Sequence, residues 1–144
     1  MKLIHILIVF IWRGIIMNHS TVPFISIIST FSNTGMYNKE IREDLLQLVP
    51  AIEEYIEIKL TSNQLVCKSF ISHLTRLLER IYNHQLIQGE QQGMESKVRM
   101  AFLKHQKHLQ TIFQNLFPDK NVELTSIEMY FLVLYILHLK EEFS

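Results

Sequence analysis

The stretch FISHLTRLLERI, residues 70–81, repeats apolar side chains at the three- and four-residue intervals of an amphipathic helix. On a helical wheel, one stripe of apolar side chains falls within about 40° of a common direction: Val66, Phe70, Leu74, Leu77 and Ile81. His73 and Arg80 lie about 60–80° from the centre of that stripe, with Ser69 and Arg76 farther out on the same side. The pattern predicts a helix over residues 62–83 with His73 at the boundary between core and solvent.

A histidine at such a boundary has two roles open to it. It can hydrogen-bond a neighbouring helix, or it can leave one ring nitrogen accessible to a partner. The arginines on the same side are expected to lower the pKa of His73 by charge repulsion. They would also favour an anion placed on the ring, because a guanidinium group matches the geometry of phosphate oxygens.

The segment before this helix is also helical in pattern. Apolar residues recur over residues 41–56 with a period close to 3.6. Pro50 marks either a kink in this helix or the first turn of a second one. Acidic residues are expected on its outer face: Glu40, Glu43, Asp44, Glu53, Glu54 and Glu57.

Two later helices begin with nearly the same phrase, KLTSNQL and ELTSIEM. Thr61 with Gln64, and Thr125 with Glu128, have the spacing of capping boxes, which predicts helix starts at about residues 62 and 126. A long helix is expected over residues 94–117, between a glycine-containing polar break and a proline. The last helix is apolar on most sides and should be the most buried. We therefore predict an all-α bundle of four or five helices.

Composition narrows the class of protein. The 144 residues carry 14 basic and 14 acidic side chains, and this zero net charge argues against direct nucleic-acid binding. The single cysteine, Cys67, cannot form an internal disulfide, so a cytoplasmic location is expected. Phosphate-binding glycine loops, nucleophile elbows and paired carboxylates in a cleft pattern are absent from the sequence. We expect neither an enzyme nor a bound cofactor.

Residues 1–36 differ from the rest of the chain. The apolar run over residues 3–12 is shorter than the roughly 20 residues that a spanning helix needs, so no membrane span is expected. An interfacial helix over residues 3–16 stays open as an alternative. Internal methionines at Met17 and Met36 also leave open a native start downstream of residue 1. We treat 1–36 as an uncertain apolar extension and 37–144 as the domain.

The predicted long helix carries the sequence KHQKH, with His105 and His108 three residues apart. Two histidines at this spacing can bind a metal, but no third ligand stands at a recognisable spacing and no di-iron motif is present. A solvated helix face is therefore the favoured interpretation, and no metal site is predicted. The helix is basic through Lys97, Arg99, Lys104 and Lys107, which leaves room for docking of an acidic partner.

Two separated segments resemble the PTS regulation domain (PRD) of bacterial regulators controlled by the sugar phosphotransferase system. His73, Arg80 and Ile81, with Leu74 and Leu78 between them, match the form H-(I/L)-x-x-x-x-x-R-(L/I). The segment LTSIEMYFLVLYI is similar to the family's C-terminal motif, with Glu128 at its glutamate position. The resemblance spans about residues 41–139 and implies a stand-alone PRD-like helical bundle.

The resemblance also implies a function and its residues. The phosphocarrier HPr or an enzyme IIB would phosphorylate His73, with Arg76 and Arg80 supporting the phosphate. The family's second histidine falls on Tyr135, and His138, three residues on, is the only nearby substitute. Family members signal through helix packing or dimerisation, so we expect a homodimer acting through a regulator partner protein in transcription regulation. A helical interaction module that keeps the PRD fold without phosphotransfer is the alternative.

Overall fold

The computed structural model describes residues 39–61 and 64–142. Within them the chain forms the helices α1 (Lys39–Ile56), α2 (Leu65–Tyr82), α3 (Ser96–Leu116) and α4 (Ser126–Glu142). A 3₁₀ turn, Pro118–Lys120, lies between α3 and α4, and these residues contain no strand. The prediction of an all-α fold is confirmed for this part of the chain. The expectations for residues 1–36, including an interfacial helix and a downstream start, lie outside the described residues.

The four helices pack in a ring. α1 contacts α2 and α3, and α4 contacts the same two helices from the other side. The apolar stripes of all four helices meet in a single core, whose largest fully buried side chains include Phe70, Phe113, Leu45, Leu48, Ile52 and Leu74. Pro50 lies inside α1 and is buried, so the helix continues through it rather than starting again there.

Helix α2 starts later than its capping box predicts. The first helical residue is Leu65, with Gln64 at the N-cap making no side-chain capping bond. The Thr61 hydroxyl is buried and has no hydrogen-bond partner among the described residues. The capping-box prediction at Thr61 is therefore wrong. At its other end α2 stops at Asn83, and the following loop uses the left-handed conformation at Gly89 and Gly93 that glycine adopts without strain.

Helix α4 starts where predicted, with half of a capping box. The backbone N–H of Glu128 donates to the Thr125 hydroxyl at 3.2 Å, which satisfies one of the unpaired amides of the first turn. The Glu128 side chain does not complete the box. It points to α2 instead, and that contact organises the site described below.

Two polar residues expected on the surface are buried. Glu53 is not on the outer face of α1: its Oε2 accepts the backbone N–H of Leu60 at 2.7 Å and ties down the turn after the helix. His105 is not on a solvated face of α3: it is buried, and its Nδ1 shares a hydrogen bond of 2.6 Å with the Tyr55 hydroxyl. His108, which is exposed, stacks on the Tyr55 ring with 3.9 Å between the ring centroids. Both predictions failed because a polar residue beside an apolar stripe can be buried when another helix supplies its partner.

None of the four helices combines the length and the apolar character needed to cross a bilayer. Over residues 39–61 and 64–142, no three His, Cys, Asp or Glu side chains come close enough together to hold a metal ion.

Candidate functional site

His73 lies on α2 where that helix meets α4. Its imidazole is partly buried against two aromatic rings of α4, with centroid distances of 5.1 Å to Tyr135 and 5.9 Å to Phe131. Helix α2 runs antiparallel to α4 at this contact, because Arg80 meets Glu128 at one end and His73 meets Tyr135 at the other. Seven residues, or two helical turns, therefore separate the two contacts on each helix.

The contact at the Arg80 end is a buried ion pair. Nε and Nη2 of Arg80 donate to the two carboxylate oxygens of Glu128, both at 2.7 Å. The Glu128 side chain is fully buried, and Arg80 keeps 22% of its side-chain surface exposed. Such a bidentate pair fixes orientation as well as distance, so it sets the register of α2 against α4.

The same carboxylate also holds the loop that follows α2. The backbone N–H of Ile87 donates to Oε2 of Glu128 at 3.0 Å, and the Thr125 hydroxyl donates to the Ile87 carbonyl at 2.6 Å. One buried glutamate thus connects α2, α4 and the α2–α3 loop. We call Arg80, Glu128, Ile87 and Thr125 the clamp.

On the solvent side of His73 there is an open depression with a volume of about 430 Å³. It is lined by Lys68, Ser69, Ser72, His73, Arg76 and Tyr135. Arg76 pairs across the surface with Glu79, whose carboxylate it meets at 3.0 Å. Of the two arginines expected beside a phosphate, Arg76 lines this depression, whereas Arg80 donates to Glu128.

The imidazole of His73 is uncharged at neutral pH. Burial, and then the positive charge of Arg80, lower the pKa of His73 to about 4, while the charge of Glu128 acts in the opposite direction. Nε2 is buried and has no hydrogen-bond partner among the described residues. A neutral ring keeps a lone pair on one nitrogen, which is the form in which histidine acts as a nucleophile.

The two positions considered for a second acceptor lie side by side. Tyr135 borders both the depression and a neighbouring groove of about 570 Å³. His138 is exposed and lines the groove with Phe131 and Leu134, but it does not line the depression. Tyr135 is therefore the side chain in contact with His73, and His138 faces a separate, more apolar surface.

Two features of this site were not predicted. Lys68, Ser72 and Arg76 follow one another at intervals of four residues, so these three share one face of α2, and Arg76 at the edge of that face lies next to His73. That spacing could have been read from the sequence. The pairing of Arg80 with Glu128 had a weaker signal: Glu128 is the only carboxylate of α4 before its last turn, and a carboxylate among apolar residues requires a partner when it is buried.

Comparison with known proteins gives no further guidance, since no protein-family model, curated protein or solved structure matches this chain.

Proposed function

We propose that this chain is a non-enzymatic regulatory domain of the bacterial sugar phosphotransferase system, of the PRD kind, that is phosphorylated on His73. HPr or an enzyme IIB is the donor, and the protein acts in the cytoplasm. The observation that carries the proposal is the position of His73, a neutral imidazole beside an open depression lined by Lys68 and Arg76. The two sequence segments that resemble the PRD support the same assignment.

The transfer step is a displacement at phosphorus. A ring nitrogen of His73 forms the new P–N bond, the bond between phosphorus and the donor side chain breaks, and its electron pair leaves with the donor. The ring proton that His73 gives up passes to the donor or to water. Nε2 is buried in this arrangement, so an attack by Nε2 would first require the ring to rotate towards the depression.

Phosphorylation of His73 would act on the packing of α2 against α4. A phosphoryl group adds about two negative charges next to the contact between these helices, where Arg80 and Glu128 set their register. The resulting change in helix packing or in homodimer formation would be read by a regulator partner protein in transcription control.

Intact mass spectrometry tests the proposal on the full chain incubated with enzyme I, HPr and phosphoenolpyruvate, and separately with a phosphorylated enzyme IIB. We expect a phosphate-sized gain that is lost in acid and absent from His73→Ala. His138→Ala is the matched control, because it removes another histidine of the α2–α4 face, and it should keep the gain. A full gain in His73→Ala would reject the site, and no gain in the wild type with either donor would reject the function.

A helical interaction module without phosphotransfer is the second candidate. It is favoured by Tyr135 at the second acceptor position and by two exposed apolar side chains of α3, Met100 and Leu103. Leu103 also lines a groove of about 580 Å³ between α3 and the start of α4. For this candidate we expect self-association that Leu103→Glu weakens at least tenfold and that His73→Asp leaves unchanged, as measured by sedimentation equilibrium. A monomeric wild type at all concentrations, or an effect of His73→Asp alone, would contradict it.

A further inference from the structure

The side chains that line the depression beside His73 are basic or uncharged. On α2 it is lined by two cations, Lys68 and Arg76, and by the hydroxyls of Ser69 and Ser72, and none of the described residues that line it is a carboxylate. Lys68 and Arg76 lie on the helical turns that flank His73, and both are exposed. An anion in the depression would therefore meet positive charge from both sides of the imidazole.

Arg80 and Arg76 are each paired with a glutamate, and the cost of breaking that pair decides which arginine can bind such an anion. Removing Arg80 from Glu128 would leave a fully buried carboxylate without its counter-charge, which is strongly destabilising. The side chains of Arg76 and Glu79 are 53% and 27% exposed, and an exposed pair of this kind contributes little to stability. Arg76 can thus turn to a ligand with little loss to the fold, whereas Arg80 stays in the clamp.

We propose that Lys68 and Arg76, with the hydroxyls of Ser69 and Ser72, form a binding site for a phosphate dianion next to His73. The assignment of the ligand as the phosphoryl group in transit rests on the proposed function. Charge-assisted hydrogen bonds from an ammonium and a guanidinium group are the contacts that favour a phosphate over a neutral ligand. Glu79 competes with the anion for Arg76 and so sets the affinity of the site.

The first test needs no donor protein. The ¹⁵N-labelled full chain is titrated with inorganic phosphate at constant ionic strength, and the amide and ring signals of α2 are followed by NMR. We expect saturable shifts around His73, with an apparent Kd raised about tenfold by Lys68→Ala and by Arg76→Ala. Glu79→Gln should tighten binding because it releases Arg76. Lys104→Ala, which removes an exposed lysine of α3, should change nothing.

A second measurement separates this site from the proposed function. The rate of phosphoryl gain is measured with phosphoramidate, a small donor that needs no docking surface, and should fall about a hundredfold in Lys68→Ala/Arg76→Ala. Unchanged rates and unchanged phosphate shifts in this double variant would overturn the anion site and leave phosphorylation of His73 standing. Normal phosphate binding by a wild type that accepts no phosphoryl group would reject the proposed function and leave the anion site standing.

Discussion

Replacing Glu128 by Gln is expected to lower the free energy of unfolding by about 3 kcal/mol, because it breaks a buried ion pair and leaves one partner uncompensated. The substitution keeps the shape of the side chain and removes its charge. Arg80 loses one of its two bonds of 2.7 Å, because the glutamine amide nitrogen cannot accept it, and the other becomes a bond to a neutral oxygen. The value is at the low end for such pairs, since Arg80 retains some contact with water. Urea unfolding followed by circular dichroism at 222 nm measures the loss as a lower midpoint with an unchanged slope.

Glu79→Gln is the matched control, because it neutralises the carboxylate of an exposed arginine pair on the same helix. We expect it to change stability by less than about 1 kcal/mol. The double substitution Arg80→Met/Glu128→Leu should recover part of the loss, since apolar side chains of similar volume often replace a buried ion pair at no net cost, while the Ile87 N–H loses its acceptor. Equal effects of Glu128→Gln and Glu79→Gln would show that the clamp does not stabilise the fold.

The clamp illustrates what the sequence could and could not predict. Arg80 and Glu128 were both singled out, each as part of a separate motif, but nothing in their spacing indicated that they meet across 48 positions. The spacing of the apolar residues predicted the four helices well, because each helix buries one apolar stripe. The contact between two stripes depends on the register of α2 against α4, which is a property of the packed bundle and not of either helix.

The sequence predicted the hydrogen-bond partners of polar side chains less well than it predicted the helices. Thr61 and Thr125 occupy nearly the same motif, yet only Thr125 caps its helix. His105 and Glu53 read as surface residues and are buried with partners that lie elsewhere in the chain, at Tyr55 and Leu60. A polar side chain at the edge of an apolar stripe can be exposed or buried. It is buried when another part of the folded chain supplies a hydrogen-bond partner.

Acidification is expected to destabilise the fold through His73. The ordinary pKa of the histidine in the unfolded chain is 6.5, and in the folded protein it is about 4. The unfolded state therefore binds the proton first as the pH falls, and the free energy of unfolding decreases between pH 6.5 and about 4. The difference corresponds to about 3 kcal/mol at pH 4, with no contribution from His73 above pH 6.5.

The contribution of His73 to the pH dependence of stability can be separated from that of the other titrating groups. His105 also has a lowered pKa, chiefly because of burial, and the acidic residues titrate in the same range, so the wild-type curve alone is not sufficient. His73→Phe keeps a ring against Tyr135 and Phe131 and removes the titrating group. Chemical unfolding of both proteins from pH 8 to pH 4 should show the free energy of unfolding of His73→Phe rising by about 3 kcal/mol relative to that of the wild type.

The ring signals of His73 provide the direct check. Burial and then the charge of Arg80 lower the pKa of His73, and the charge of Glu128 raises it, so a midpoint well below 6.5 requires that burial and Arg80 prevail. An NMR titration with a midpoint near 6.5 would contradict the prediction. A midpoint near 4 would mean that His73 is available as a neutral nucleophile across the whole range from about pH 5.5 to 8. The pH dependence of the proposed phosphoryl transfer in that range would then not come from the protonation of His73.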